Sequence, residues 1–157
     1  DPSQQLPRLD GQQTIDVIDG AKYLFNNEYE ATLIEQRTGW SSEEVLEHVG
    51  IRVTTMGSKG ARITSRDGLD ISVPVAQEKS IKDPTGVGDA FRAGFLTGLG
   101  WGLTPQRCAE VGSLLATYVI ETIGTQEYLL DKTEFISRLE AAYGSECAQD
   151  VASHLGK

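Results

Sequence analysis

Cysteine, histidine and methionine are nearly missing from this 157-residue chain, with two, two and one respectively. Cys108 and Cys147 lie far apart with no CxxC spacing. A disulfide framework and a thiolate metal site are therefore not readable, and both residues are expected to be reduced thiols of a cytoplasmic protein. His48 and His154 have no partner at metal-ligand or triad spacing, so both are expected as surface or packing residues. Positive charge is scarce too: 14 Lys and Arg stand against 23 Asp and Glu, a net charge of −9. Phosphate backbones are gripped by clustered Lys and Arg, so no nucleic-acid partner is expected. No run approaches the roughly 20 apolar residues that cross a bilayer, so no membrane partner is expected. No secretory leader is read at the start. The opening Asp1-Pro2-Ser3-Gln4-Gln5 lacks an initiator methionine and reads as the interior of a longer chain.

What is present suits a soluble globule: 39% apolar and 24% charged residues in a chain the size of one domain. No internal repeat or low-complexity segment interrupts it. Helical spacing is read over Gly11 to Ala21, with Ile15 and Ile18 inward, and over Glu28 to Arg37, with Tyr29, Leu33 and Ile34 inward. Ser41-Ser42-Glu43-Glu44 is a capping box that starts a further helix ending near Gly50. Tyr23-Leu24-Phe25 and Ile51 to Met56 read as buried strands. Ala61 to Ser65 and Leu69 to Val75 alternate around Asp67-Gly68, a hairpin signal. Two helices follow the loop Ser80 to Gly88. The first carries Phe91, Phe95 and Leu99 beside the small residues Ala90, Gly94 and Gly98. The second opens with Thr104 as N-cap and Pro105 at the first helical position, buries Cys108, Val111, Leu115 and Val119, and stops at Gly124. A last helix is expected from Lys132 to Tyr143. Residues 1–144 are read as one nucleotide-binding portion and 145–157 as a frayed tail. Strands alternating with helices argue for a layered α/β domain whose four strands make an incomplete sheet.

The chemistry is concentrated in Asp83-Pro84-Thr85-Gly86-Val87-Gly88-Asp89-Ala90-Phe91. A Gly-x-Gly turn runs straight into a helix, so amides without intrahelical partners point at one spot and form a ready anion hole. Asp89 at its lip repels phosphate. It makes sense as the base that takes a proton from an attacking hydroxyl. The plainer reading is a tight turn followed by an acidic first-turn residue that suits the helix dipole.

The segment Asp83 to Leu96 resembles the second signature of the ribokinase (PfkB) family of small-molecule kinases. Asn27-Glu28-Tyr29-Glu30 resembles the family's Asn-x-x-Glu motif. Thr55-Met56-Gly57-Ser58-Lys59-Gly60 resembles its strand-end nucleotide loop, and Gly124-Thr125-Gln126 the turn closing the adenine pocket. Asp1 to Gln5, Gly39-Trp40-Ser41 and Ala90 to Phe95 are similar to the bacterial adenosine kinases in particular. The resemblance covers about the first 130 residues. It implies a ribokinase-like α/β/α domain, here the C-terminal, ATP-binding half without the lid.

The resemblance also implies roles. Asp89 is the catalytic base, and the amides of Gly86, Val87 and Gly88 hold the transferring phosphoryl group. Asn27, Thr55, Gly57, Ser58, Gly60, Gly124 and Gln126 contact the nucleotide. Glu30 organises Mg²⁺ through water. Asp83 and the Thr85 carbonyl, with the turn Val119 to Gln126, hold a monovalent cation such as K⁺, although Pro84 departs from the family's usual Thr. Arg92 has two open uses: it can clamp phosphate or substrate, or pair with a nearby carboxylate. Without the motif, Glu30 reads as a solvated helix-face carboxylate, and Thr55, Gly57 and Gly60 as a plain strand-turn.

The implied activity is ATP-dependent phosphorylation of a nucleoside or sugar hydroxyl, adenosine to AMP first. The implied partner is the N-terminal half of the same kinase, and the complete protein is a candidate homodimer. The competing readings are a sugar kinase of ribose or fructose type, and a fragment that binds nucleotide without catalysis.

Overall fold

The structure is a computed structural model that describes residues 1–155. It divides into two compact units, Asp1–Ser72 and Val73–Lys157.

The unit Asp1–Ser72 is built on strands β1 (Tyr23–Asn27), β2 (Ile51–Thr55), β3 (Ala61–Ser65) and β4 (Asp70–Val73), ordered β1-β2-β3-β4 in one mixed sheet. β1 runs parallel to β2 with Asn27 level with Thr55, and β2 runs antiparallel to β3. A parallel pair needs a crossover. Helices α2 (Glu28–Thr38) and α3 (Ser42–His48) supply it, while α1 (Gly11–Ile18) precedes β1. Leu6, Ile18, Leu24, Ile34, Val45 and Val49 form the core of this unit. All three helices close their own first turn. The pairs Asp10/Gln13, Asn27/Glu30 and Ser41/Glu44 are reciprocal capping boxes. Tyr29, expected on the inward face of α2, is instead 66% exposed, and Ile34 is the buried residue of that helix. His48 lies flat against Trp40 at 3.7 Å, with its Nδ1 2.8 Å from Asp19.

The unit Val73–Lys157 is helical: α4 (Val87–Gly100), α5 (Pro105–Ile120), α6 (Lys132–Tyr143) and α7 (Ser145–Ala152). Here α4 and α5 meet backbone to backbone. A Cβ on Gly94 would lie 2.7 Å from the Gly112 Cα, and one on Gly112 would lie 2.5 Å from the Phe91 carbonyl oxygen. On α5 the fully buried leucine is Leu114; Leu115 is only half-buried. The expected frayed tail is corrected: residues 145–152 form α7, and Cys147, Ala148 and Val151 are buried. Arg107 of α5 anchors it, with Nε 3.0 Å from Asp150 and Nη2 3.1 Å from Glu146. Both cysteines are free and buried. Burial pushes the Cys108 thiol up to about 11 and the Cys147 thiol up to about 12, so neither is reactive at neutral pH. Among the described residues no helix is long and apolar enough to cross a membrane.

Gly112→Ala drives a methyl group into the Phe91 carbonyl. It is expected to destabilise the chain by about 1–3 kcal/mol, the cost of overpacking a closed core. Urea unfolding with an unchanged m-value checks this, and wild-type stability would show that the helices can part.

Candidate active site

In the unit Asp1–Ser72, the parallel β1–β2 pair brings six of the expected residues to one end. Asn27 and Thr55 close the two strands side by side. Ligands of open α/β sheets bind outside the carboxyl ends of the strands. Asn27 is at once the last residue of β1 and the N-cap of α2. The Glu30 amide donates to its Oδ1 at 2.8 Å, and its own amide donates to Glu30 Oε2 at 2.8 Å. One carboxylate oxygen of Glu30 is left outside that box.

After Thr55, Gly57–Lys59 makes a single tight turn, closed by the Gly60 amide donating to the Gly57 carbonyl at 3.0 Å. The Met56 amide donates to the Gly60 carbonyl at 2.8 Å. Gly60 sits at φ 91°, ψ −138°, a conformation that only glycine takes readily. Ser58 is exposed at the tip. Lys59 reaches Glu28 at 3.3 Å, linking this turn to the first turn of α2. Sequence reasoning missed that tie, and the opposite charges 31 positions apart were its only trace.

In the unit Val73–Lys157, the glycine bend is held from three sides. Asp83 accepts the Thr85 amide at 2.9 Å and the Gly124 amide at 3.2 Å. The Lys82 amide donates to the Ile120 carbonyl at 2.8 Å. Hydrogen bonds from Thr85, side chain and then amide, and from the Gly124 amide hold the Asp83 carboxyl below its ordinary value. Gly86 takes φ 82°, and a Cβ there would strike the Thr125 side chain at 2.9 Å. Thr125 was not singled out from the sequence as a residue that shapes the bend.

Gly86 caps α4 without any side-chain bond. The Val87 amide already donates to the Pro84 carbonyl at 3.3 Å. The amides of Gly88 and Asp89 find no acceptor among the described residues. A Cβ at Gly88 would meet nothing nearer than Arg92 Nη1 at 3.8 Å. The Asp89 side chain is 80% exposed and accepts a bond from Arg92 Nη2. Of the two uses open to Arg92, pairing with a carboxylate is the one seen. Gln126 is exposed two positions beyond Gly124.

Among the described residues no three His, Cys, Asp or Glu side chains gather to hold a metal.

The sequence profile of the pfkB family carbohydrate kinases matches residues 1–132. The chain belongs to that family. Among solved structures, this pfkB-family chain is similar to the Burkholderia thailandensis nucleoside kinase in complex with inosine. The TM-score is 0.87 at 38% identity, covering 92% of this chain and 47% of that one. The Methanocaldococcus jannaschii nucleoside kinase, an archaeal member of the ribokinase family, superposes with a TM-score of 0.84 at 31% identity. By sequence, that kinase is 32% identical over 140 residues, 89% of this chain and 46% of its own length. Adenosine kinase 1 of Arabidopsis thaliana is 30% identical over 118 residues, 65% of this chain and 34% of its own length. The fold is thus ribokinase-like α/β, and the chain spans about half the length of the curated relatives it matches most fully.

The Asp83 strap has a pH signature. A carboxylate whose pKa is lowered by folding stabilises the fold while ionised. Its contribution is whole above the unfolded value of about 3.9. It fades as pH falls below that and is gone below the folded value. Amide exchange at Thr85 and Gly124 is expected to quicken as pH drops through this window, after correction for intrinsic rates. In Asp83→Asn it is expected to be fast throughout. Protection in Asp83→Asn equal to wild type would remove the strap.

Proposed function

We propose that this chain is the ATP-binding and catalytic portion of a nucleoside kinase that moves the terminal phosphoryl group of ATP to the 5′-hydroxyl of a nucleoside, adenosine first. The observation that carries the reading is the start of α4 (Val87–Gly100). There a left-handed glycine bend leaves the Gly88 and Asp89 amides open beside an exposed carboxylate. The nucleoside kinases among the relatives support the acceptor class.

In this reading the open amides, with Gly86 and Val87 shaping the bend, take the transferring phosphoryl group. Preorganised donors of this kind contribute about 3–4 kcal/mol each in a transition state. Asp89 accepts the proton of the acceptor hydroxyl. The oxygen–phosphorus bond to the acceptor forms as the bond to the β-phosphate oxygen breaks, and ADP leaves. Thr55, Gly57, Ser58 and Gly60, with Gly124 and Gln126, contact the nucleotide. Asn27 and Glu30 hold Mg²⁺ through its waters, and the ion offsets the charge of the triphosphate. Asp83 and the Thr85 carbonyl take K⁺. The acceptor contacts not found here belong to the remaining length that the relatives have, so the isolated chain is expected to bind nucleotide without turnover.

In the complete kinase carrying this sequence, Asp89→Asn is expected to cut turnover by about 10²–10⁴-fold while ATP binding is nearly kept. Unchanged turnover would remove Asp89 as the base. Phosphorylation assays with adenosine, inosine, ribose and fructose decide the acceptor. A clear preference for a free sugar would overturn the nucleoside assignment.

A further inference from the structure

The Asp89–Arg92 pair raises a problem for the reaction just described. A carboxylate oxygen already taken by a guanidinium hydrogen bond has less capacity left to accept from an acceptor hydroxyl. The same guanidinium has a second place to go. Arg92 follows Gly88 by four positions and Asp89 by three, so on a helix it is a neighbour of both. Arg92 Nη2 is on Asp89, while its Nη1 lies 3.8 Å from where a Gly88 Cβ would be. A rotation of the Arg92 side chain, with no backbone movement, therefore carries its charge from the carboxylate to whatever anion those amides hold. Arginine suits such an exchange, since its planar fork binds carboxylate and phosphate with similar geometry.

We propose that Arg92 is a two-position latch. Without a triphosphate it pairs with Asp89 and keeps that carboxylate in place. With ATP bound, it turns to the terminal phosphate beside the Gly88 amide and releases Asp89 for the acceptor hydroxyl. The inference rests on the reading of α4 as the phosphoryl site and adds what regulates it. Arg92 then senses the γ-phosphate specifically. ADP ends one phosphate short and leaves the latch on Asp89.

Calorimetry on this chain with Mg²⁺ plus either ATP or ADP tests it. Arg92→Ala is expected to weaken ATP about tenfold or more, the loss of one charge-assisted hydrogen bond, and to leave ADP within about twofold. Arg92→Lys keeps the charge and is expected to recover most of the ATP preference. It also guards against a folding defect in the alanine variant, with thermal melting compared for all three proteins. Equal weakening of ATP and ADP, or no change in either, overturns the latch and leaves the kinase reading standing. Failure of the unaltered, folded chain to bind either nucleotide overturns both.

Discussion

The start of α4 depends on a bend that cannot hold itself. A glycine in a left-handed turn, as Gly86 is, has little intrinsic preference for that shape and loses much chain entropy on adopting it. The shape is imposed by Asp83, which accepts amides from both Thr85 and Gly124, and by Thr125, whose side chain fills the space a Cβ of Gly86 would need. Both Gly124 and Thr125 lie just beyond the end of α5. The open amides at the start of α4 are therefore set by a contact between two segments forty residues apart. That contact works only if α4 and α5 keep a fixed spacing. The backbone-to-backbone seat of Gly94 on Gly112 supplies the fixed spacing.

Helix caps draw a contrast that composition alone hides. In the unit Asp1–Ser72 every α-helix satisfies its first amides with its own side chains. In the other unit α5 and α6 are capped by Thr104 and Asp131. At α4, as at α7, the cap is a glycine with no side chain to offer. A Ser, Asp or Asn at that position would favour the helix by about 1 kcal/mol. It would also consume an amide that a ligand can use. Under the proposed function, the empty cap of α4 gives up that local stability and keeps the amide for a ligand.

Much of this was legible before any coordinates. The box at Ser41, the Asp67-Gly68 hairpin and the bounds of α6 follow local rules, and the structure carries all three. The glycine bend was legible because few residues but glycine tolerate its angles. What escaped is non-local. α7 has too few large apolar residues to announce itself; its burial comes from small side chains and from Arg107, some forty positions away. Asn27 and Glu30 show a subtler limit. The Asn-x-x-Glu spacing that resembles a metal motif is also the spacing of a capping box, and the box is what these side chains make. The two readings are compatible, because the box uses one oxygen of Glu30 and fixes where the other points.

An acidic chain that handles a polyphosphate needs positive potential that net charge does not reveal. Here it comes in pieces small enough to sit inside a −9 background. Open amides at a helix N-terminus together act as roughly half a positive charge. Arg92 adds a full charge, but in the structure it is neutralised by Asp89. The Asp89–Arg92 pair therefore leaves only the partial charge of the amides at the bend. Under the proposed function, a Mg²⁺-bound triphosphate brings its own cation and competes with Asp89 for Arg92, so the acidic residue assigned to the chemistry would also discourage anions that cannot react.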